Sequence, residues 1–529
     1  MTYAALYRWR GALMLAGVAL IAGMVRMLSL SHPHALVFDE VYYARGGYSL
    51  TVLGYEGDWT GDGQAMVDGD YSGLSTEGDY VVHPMVGKLL IALGIQLFGA
   101  NPVGWRIVGA VLGTVMCVLV AVLARRLLRS TLWGGVAGVL LALDGQAIVM
   151  SRVAVLDGYA AFFIVLAAWL LVLDHDAALR RLTAGAARDR ERLRARTLVP
   201  AGGGGDGEAT RASSPVTGDD APARLPGMGP GLGVRWWRLA GIVALALGAS
   251  VKWSTLYYAA AFLVLSVVWD LVERRRAGYA GWFWGAGLRA IPAALATVVV
   301  MPLVYVATWA NWFLTDGSYG RQWAAQNPGQ GVTWLPDALN SLWHLQQQWW
   351  RFHNGLTTEH TYMSNPWLWL VQQRPTAFYF EDVPEAACGA ERCVSAIHAL
   401  GNPLIWWLGT LALGWAIWRV VRHRDMLAAT LAVGVLAGWV PWLPYAYRTI
   451  FTFYTVTIAP FMVLVLVWAL RRVAQPERLD GGWSRRGTVV AAVAVALCVL
   501  VAAFFLPLWT GDPVPYEYWR LHMWMSSWV

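Results

Sequence analysis

Charged residues are scarce in this sequence: they make up 14% of its 529 residues, whereas 57% of the residues are hydrophobic. Soluble globular domains carry about 25% charged residues. So few charges cannot cover the surface of a water-soluble multidomain enzyme, and so many apolar residues exclude a disordered chain. A β-barrel is disfavoured because the apolar stretches are continuous and of helix length rather than alternating. The composition therefore predicts an all-α polytopic membrane protein.

Cysteine and lysine are also rare, with four cysteines and two lysines in the chain. Four cysteines are too few for a disulfide-stapled secreted scaffold of this length. Cys117 and Cys498 fall in apolar stretches and are expected to be buried. Cys388 and Cys393 fall in a polar segment, and they can pair if that segment faces an oxidising compartment. Arginine carries nearly all of the positive charge, and its positions indicate a membrane topology rather than a nucleic-acid partner.

Eleven stretches are long and apolar enough to be membrane spans, since a span takes about 20 mostly apolar residues. The predicted spans are residues 11–30, 103–124, 132–150, 153–173, 237–251, 253–271, 287–309, 402–418, 427–444, 450–470 and 488–508.

The distribution of arginine sets the orientation of these spans. With the N-terminus in the cytoplasm, 28 of the 40 basic residues lie on the cytoplasmic side, as the positive-inside rule predicts. We therefore expect a multi-pass membrane protein whose C-terminus faces outside. Residues 84–99 are apolar but short, and a span there would invert every later loop. We expect an amphipathic helix on the outer membrane surface, with Lys88 at the headgroups.

These spans divide the chain into five segments. They are residues 1–173 (spans one to four, with the first outer loop over 31–102), 174–235, 236–309 (spans five to seven), 310–401 and 402–529 (spans eight to eleven and an outer tail). The 174–235 insert has an Arg-rich helical start and then the composition of a disordered cytoplasmic linker. The 310–401 loop is too long for a plain connection, so we expect a folded active-site or acceptor-binding element.

Ionisable residues lie near the predicted outer ends of the spans, where a buried charge is costly unless it is paired or functional. They are Asp39, Glu40, Arg106, Asp144, Arg152, Asp157, Lys252 and Arg448. Two carboxylates followed by several cations suit a reaction between an anionic lipid headgroup and a neutral nucleophile. The cations hold a phosphate, and a carboxylate takes a proton.

The same residues also have ordinary structural interpretations. These are a mutual ion pair for Arg152 and Asp157, snorkelling to the interface for Arg106 and Lys252, and solvated loop charge for Asp39 and Glu40.

Metal-binding patterns are weak. Residues 68–70 (DGD) resemble the D-x-D of nucleotide-sugar transferases, but nucleotide sugars are cytoplasmic and this loop is predicted outside. Residues 58–69 lack the twelfth-position glutamate of a calcium loop. His353, Glu359 and His360 do not form H-E-x-x-H. We therefore expect no metal site and no cofactor.

Eight blocks of the sequence together carry a family resemblance. They are FDEVYYAR (38–45), HPMVGKLL (83–90), GWRIVGAVLGT (104–114), LDGQAIVMSRVAVLDGY (143–159), SVKWSTLY (250–257), HTYMSNPWLWLVQQRPTAFYF (360–380), GNPLIWW (401–407) and YRTIFTFY (447–454). With them the chain resembles the protein O-mannosyltransferases of glycosyltransferase family 39 that use a polyprenyl-phosphate mannose donor, in the smaller actinobacterial form. The resemblance runs from about residue 8 to residue 510, apart from the 174–235 insert.

The resemblance implies the C-type membrane glycosyltransferase fold in the plasma membrane, with a catalytic outer loop over 31–102 and an active site that faces outside. It also implies an inverting, metal-independent transfer of mannose from polyprenyl-phosphate mannose to Ser or Thr hydroxyls of exported proteins, with the secretion translocon as a candidate meeting place. Two departures from the family pattern are visible. Met85 replaces a proline, which should loosen only a turn, and the late loop is too short for the β-trefoil domain of eukaryotic members.

The resemblance also suggests roles for individual residues. Asp39 would be the base that deprotonates the acceptor hydroxyl, and Glu40 would orient the site or contact the acceptor. For the donor phosphate, the chemistry of a developing dianion favours Lys252, Arg448 and Arg106. The remaining pocket candidates are His83, Arg152, Asp157, His353, His360 and Asn402.

Two other functions fit parts of this pattern. A related lipid-linked sugar transferase would share the fold and Asp39 but modify a glycolipid or a cell-wall glycan; the late blocks, 360–380 and 447–454, favour a protein acceptor. A transporter would be expected to show internal repeats and mid-membrane charges. The sequence has no convincing repeat, and its charges cluster at one surface.

Overall fold

Long apolar helices dominate the fold, which is taken from a computed structural model that describes residues 3–198, 224–477 and 482–529. In chain order the helices are α1 (Tyr3–Met27), α2 (Glu40–Val52), α3 (Gly63–Val67), α4 (Met85–Phe98), α5 (Pro102–Leu127), α6 (Thr131–Ala142), α7 (Gly145–Arg152), α8 (Leu156–Leu198), α9 (Trp236–Ala249), α10 (Thr255–Arg276), α11 (Trp282–Ala307), α12 (Ala310–Leu314), α13 (Trp323–Gln326), α14 (Asp337–Gly355), α15 (Pro403–His423), α16 (Met426–Trp439), α17 (Ala459–Ala474), α18 (Arg485–Thr510) and α19 (Tyr516–Leu521).

Five short strands and several 3₁₀ helices complete the structure. The strands are β1 (Gly57–Trp59), β2 (Leu74–Gly78), β3 (Thr376–Val383), β4 (Cys393–Ala399) and β5 (Val514–Pro515). The 3₁₀ helices are Pro366–Val371, Glu385–Ala387, Val440–Tyr445, Thr452–Thr457 and Ser526–Trp528.

Within the described residues, eight helices are long and apolar enough to cross a membrane, or nine if the bent pair α6 and α7 is one span. The protein is therefore a multi-pass membrane protein. Helices α9 and α17 coincide with two further predicted spans, but they have only 14 and 16 residues. The count of eleven spans and the sides of the two termini stay predictions.

The third predicted span, 132–150, is not one continuous helix. It breaks between α6 and α7, whose axes differ by 58°. Asp144 lies at the break, where its carboxylate accepts a hydrogen bond from the backbone N–H of Ala147 at 3.1 Å and caps α7. The same carboxylate accepts from the backbone N–H of Asn402 at 3.0 Å and from the indole of Trp406 at 2.9 Å. A buried carboxylate is stable only with such donors, so the bend is built around it.

Lys88 of helix α4 departs from its predicted environment. Leu93, Leu97 and Phe98 are exposed on one side of the helix, but Lys88 is fully buried and does not reach the membrane surface. Its ammonium donates to Glu56 at 2.6 Å and to the carbonyl of His83 at 2.7 Å. The prediction that Lys88 lies at the headgroups is therefore wrong, because an acidic partner in the first loop draws it inward.

The 174–235 insert is ordered at both described ends, and residues 199–223 lie outside the described residues. Helix α8 runs through its first part as far as Leu198. After the gap, Leu225 is buried and pairs with Tyr279. Arg235 donates to Asp174 and to Asp270. The prediction of a linker therefore fails for residues 224–235, because paired charges and a small apolar cluster hold this segment against α8 and α10.

The long segment between α11 and α15 is folded. It contains α12, α13, α14 and the strands β3 and β4, which form a three-stranded antiparallel sheet with β5 from the region after α18. Strands β3 and β4 form a hairpin with Thr376 opposite Ala399 and Val383 opposite Cys393. A disulfide joins Cys388 to Cys393 at the tip of this hairpin.

Candidate active site

A cavity of about 730 Å³ opens among the segments that connect the spans on the predicted outer side. Four stretches of chain meet there: the first loop with the start of α2, the turn between α9 and α10, the end of α14, and the segment that precedes α17. Among its lining residues are Asp39, Tyr43, Arg45, Asp58, Asp79, His83, Lys252, Tyr257, His353, Arg448 and Tyr454. The cavity therefore collects residues that lie more than 400 positions apart in the chain.

Asp39 contributes an unpaired carboxylate to this cavity. It stands at the N-cap of α2, but its side chain makes no capping hydrogen bond. In the described part of the chain, no basic side chain lies within ion-pair distance of it. Burial raises the pKa of Asp39 to about 7, although the charge of Lys252 acts in the opposite direction. A carboxylate of this kind is suited to accept a proton near neutral pH.

Glu40 points away from the cavity and is completely buried. It forms a bidentate ion pair with Arg106, at 2.9 Å to Nε and 2.8 Å to Nη2. The backbone N–H groups of Val37 and Ala154 also donate to the Glu40 carboxylate, each at 2.8 Å. The other hydrogen bonds of the Arg106 guanidinium go to the carbonyls of Leu30, Pro33 and Ala35.

This network corrects two predictions. Arg106 does not line the cavity and its guanidinium is engaged by protein acceptors, so its predicted placement at the donor phosphate is not supported. Arg106 does not snorkel either, because it is 1% exposed. Glu40 is neither a solvated loop charge nor a contact for an acceptor in the cavity. Its predicted role in orienting the site is compatible with its place beside Asp39 and stays a prediction.

Removal of the Glu40 carboxylate tests how much this ion pair stabilises the fold. We expect Glu40→Ala to lower the free energy of unfolding by about 3–5 kcal/mol, because it leaves the buried Arg106 charge without its partner. Thermal unfolding in detergent, followed by tryptophan fluorescence, measures the change. The control is Arg392→Ala, which breaks an exposed pair with Asp382 and should have little effect. Equal decreases in the free energy of unfolding of the two variants would contradict the expectation.

Lys252 lies in the cavity wall as part of a second ion pair. Its ammonium donates to both carboxylate oxygens of Asp157, at 2.8 and 2.9 Å. The same nitrogen lies 3.8 Å from the ring centroid of Tyr454. Burial alone would lower the pKa of Lys252, but the neighbouring carboxylate of Asp157 raises it overall. Lys252 therefore keeps its positive charge in the cavity, and it neither snorkels nor stands without a partner.

Arg448 is the least engaged of the cations in the cavity wall. It is 8% exposed, and its buried Nε has no hydrogen-bond partner within the described ranges. Its guanidinium carbon lies 5.9 Å from the ring centroid of Tyr445. A buried guanidinium N–H without an acceptor is costly, so Arg448 is the cavity cation best placed to take an anionic ligand.

Two neutral imidazoles lie side by side in the cavity wall. The rings of His83 and His353 are 5.2 Å apart, and Nε2 of His353 lies 2.9 Å from the carbonyl oxygen of Val82. Burial lowers the pKa of His83 and lowers that of His353 to about 4. Both rings are therefore uncharged at neutral pH and can exchange hydrogen bonds with hydroxyl groups.

Four predicted pocket residues lie outside the cavity lining: Arg152, Asp157, His360 and Asn402. Arg152 and Asp157 do not pair with each other. Arg152 donates to backbone carbonyls at the end of α1, such as that of Leu28 at 2.8 Å, whereas Asp157 reaches the site through Lys252. His360 is exposed. Asn402 is buried and caps α15.

Several lining residues were not predicted from the sequence. Tyr43, Arg45, Asp58, Asp79 and Tyr454 all face the cavity. Tyr43 and Arg45 fall in the FDEVYYAR block and Tyr454 in the YRTIFTFY block, so their position in these blocks was an available signal. Asp58 and Asp79 belong to the acidic first loop, where nothing in the sequence separates them from their exposed neighbours.

No metal cluster accompanies these groups in the part of the chain that the structure describes: three or more His, Cys, Asp or Glu side chains nowhere converge to hold an ion.

Solved structures identify the fold. The chain matches a subunit of the protein O-mannosyltransferase Pmt1–Pmt2 complex of S. cerevisiae, bound to its sugar donor, with a TM-score of 0.65, 13% identity and coverage of 100% of this chain and 94% of that one. It also matches the oligosaccharyltransferase AglB of Archaeoglobus fulgidus, with a TM-score of 0.50, 11% identity and coverage of 99% and 58%. The predicted C-type membrane glycosyltransferase fold is confirmed.

Sequence comparisons identify the family. Residues 96–184 match the family model for dolichyl-phosphate-mannose-protein mannosyltransferase, and residues 338–528 match that for the C-terminal four TMM region of protein-O-mannosyltransferase. Proteins named polyprenol-phosphate-mannose–protein mannosyltransferase from Mycobacterium tuberculosis and Corynebacterium glutamicum are 34% and 30% identical. The matches cover 98% and 99% of this chain, and 92% and 93% of those proteins. The chain belongs to the polyprenol-phosphate-mannose–protein mannosyltransferase family, as the sequence blocks predict.

Proposed function

We propose that this protein transfers mannose from polyprenyl-phosphate mannose to Ser or Thr hydroxyls of exported proteins, with inversion at the anomeric carbon. Membership of the family supports this function. The single observation that carries it is that the Asp39 carboxylate and the Arg448 guanidinium line one cavity, and that neither has an ion-pair partner among the described residues.

The two groups have complementary tasks in such a transfer. The acceptor hydroxyl attacks the anomeric carbon from the face opposite the phosphate, and Asp39 takes the hydroxyl proton. The bond between the anomeric carbon and the phosphate oxygen breaks, and its electron pair leaves with the polyprenyl phosphate. The Arg448 guanidinium stabilises the negative charge that develops on the phosphate. A preplaced hydrogen-bond donor has its largest effect on the rate at such a position.

Lys252 is proposed as the second cation at the phosphate. Asp157 holds two of its N–H groups, which leaves one of the three donors of an ammonium group for a ligand. Asp157 thus fixes the position of Lys252 and offsets its charge while the donor is absent. Among the described residues Arg448 has no carboxylate partner, so we place Arg448 first among the phosphate ligands.

The active site is proposed to face the outside of the plasma membrane. The excess of arginine on the opposite side supports this orientation. So does the Cys388–Cys393 disulfide of the β3–β4 hairpin, because disulfides persist in oxidising compartments. Exported polypeptides would then reach the cavity as they emerge from the membrane, with the secretion translocon as a candidate partner.

Transfer to a synthetic acceptor tests this function. The purified protein in liposomes is supplied with radiolabelled polyprenyl-phosphate mannose and a peptide rich in Ser and Thr. We expect label on the peptide and none on the same peptide with Ala at every Ser and Thr. Label on an added glycolipid or cell-wall glycan, with none on the peptide, would instead favour the related transferase.

The pH dependence of transfer follows from the state of Asp39. Because the base must be deprotonated and burial raises the pKa of Asp39 to about 7, activity should be lost as the pH falls. We expect kcat/KM to decrease about tenfold per pH unit below this pKa, since this parameter reports the free enzyme's essential base. Initial rates at subsaturating donor between pH 5 and pH 9 measure the profile. A flat profile down to about pH 5 would contradict a base in this environment.

We also propose that the transfer needs no metal ion. Arg448 and Lys252 already bring positive charge to the phosphate, which is the task a divalent cation would perform. Transfer is therefore expected to be unchanged after dialysis against EDTA, with the same protein dialysed into magnesium as the comparison. Loss of activity with EDTA that magnesium or manganese restores would overturn this proposal.

A further inference from the structure

The residue immediately before Asp39 has an unusual backbone. Phe38 has a φ of +52°, in the left-handed region. Bulky residues rarely have a positive φ. They keep this strained conformation only where surrounding contacts hold it. Such residues cluster at functional sites, so the contacts of Phe38 are informative.

Three aromatic rings from late in the chain hold Phe38. Its ring stacks on Phe378 of β3 with centroids 4.5 Å apart and an angle of 4° between the planes. The rings of Phe453 and Phe451 meet it edge-on at 5.5 and 6.1 Å. Aromatic pairs at these distances and angles are favourable. A cluster of aromatic residues more than 300 positions downstream thus packs around the first residue of the FDEVYYAR block.

The residue after Asp39 is fixed as well. Glu40 is held by Arg106 and by the backbone N–H groups of Val37 and Ala154. Asp39 itself has no capping hydrogen bond. Within the described residues the carboxylate has no ion-pair partner either, so the backbone on either side of Asp39 sets the direction in which it points.

We propose that Phe38 is a positioning residue: its left-handed backbone, locked by the rings of Phe378 and Phe453, aims the Asp39 carboxylate into the cavity. This inference rests on the proposed role of Asp39 as the base. Strand β3 and the segment before α17 then help to position the base, although neither of them supplies it.

Two variants remove the aromatic contacts that hold the backbone of Phe38, and we call them the lock variants. Phe38→Gly keeps access to the left-handed region but loses the ring, and Phe378→Leu keeps Phe38 but removes its stacking partner. Each should lower kcat by about tenfold to 10²-fold, since a misplacement of about 1 Å can cost 10²-fold. The donor KM should change little, because Arg448 and Lys252 are untouched. Phe38→Tyr keeps the ring and should retain most of kcat.

The pH profile separates positioning from a purely structural role. A carboxylate that swings out of the buried cavity loses the desolvation that raises its pKa, so the acid limb of kcat/KM should move to lower pH in Phe38→Gly and in Phe378→Leu. Loss of folded protein alone would reduce the rate without moving this limb. Phe380→Leu is the matched control, because Phe380 lies on the same strand but contacts Trp519.

The expected result is a lower kcat and a shifted acid limb in both lock variants, with Phe380→Leu and Phe38→Tyr close to the unsubstituted protein. Unchanged kcat in folded Phe38→Gly or Phe378→Leu, or a loss of rate without a shift of the acid limb, would overturn the proposal.

Asp39→Asn, measured alongside, separates the proposed role of Asp39 as the base from the proposed positioning role of Phe38. If Asp39→Asn is active, the base lies elsewhere and the positioning role fails with it. If only the lock variants behave normally, the proposed function stands and the positioning role alone is lost.

Discussion

Asp39→Asn is expected to reduce mannose transfer by about 10²–10⁴-fold, the usual contribution of a positioned general base. The substitution removes the only proton acceptor we assign to the acceptor hydroxyl and preserves the volume of the side chain. Because Asp39 has no ion-pair partner in the described part of the chain and makes no capping hydrogen bond, the variant should insert into the membrane and be at least as stable as the unsubstituted protein. Single-turnover transfer to the Ser/Thr peptide measures the effect, and it separates the chemical step from product release.

A second aspartate of the same loop provides the control. Asp70 is exposed and lies outside the cavity lining, so Asp70→Asn should transfer mannose at the normal rate. Activity of Asp39→Asn within a few-fold of that of Asp70→Asn would move the base to another residue, with Asp58 and Asp79 as the remaining carboxylates in the lining.

The second large effect is expected at Arg448. Arg448→Gln should lower kcat by about 10²–10³-fold, as does removal of one preplaced donor from a site of developing negative charge. The donor KM should rise less than kcat falls, because the phosphate is more negative in the transition state than in the ground state. Steady-state rates over a range of donor concentrations give both parameters.

Arg351→Gln is the control for the loss of a positive charge on this side of the protein. Arg351 lies on α14, is exposed and does not line the cavity, so its replacement should leave kcat unchanged. If Arg448→Gln keeps normal kcat while Lys252→Gln loses it in folded protein, the phosphate would belong to Lys252 alone.

Asp39 and Glu40 show which features of the site the sequence predicts and which contacts it does not predict. The FDEVYYAR block predicts both as site residues, and the structure places Asp39, but not Glu40, in the cavity lining. Neighbouring residues at the start of a helix project about 100° apart, so one carboxylate faces the cavity and the other faces Arg106. No feature of the sequence shows which arginine pairs with Glu40. That arginine lies 66 residues away.

Lys88 and Asp144 illustrate the same limit. The apolar character of each segment was visible, but the side a charge faces depends on its partner. Glu56 draws Lys88 inward from 32 positions away, and donors from the start of α15 bend the third span at Asp144. The fold class and the family needed no such partners, since apolar length and the sequence blocks were sufficient for both.

A structure of the protein with bound polyprenyl-phosphate mannose tests the central claim most directly. We predict phosphate oxygens within hydrogen-bond distance of the Arg448 guanidinium, about 2.7–2.9 Å, with the Asp39 carboxylate on the opposite side of the anomeric carbon. A donor phosphate bound outside the cavity, or an anomeric carbon whose free face is turned away from Asp39, would contradict it.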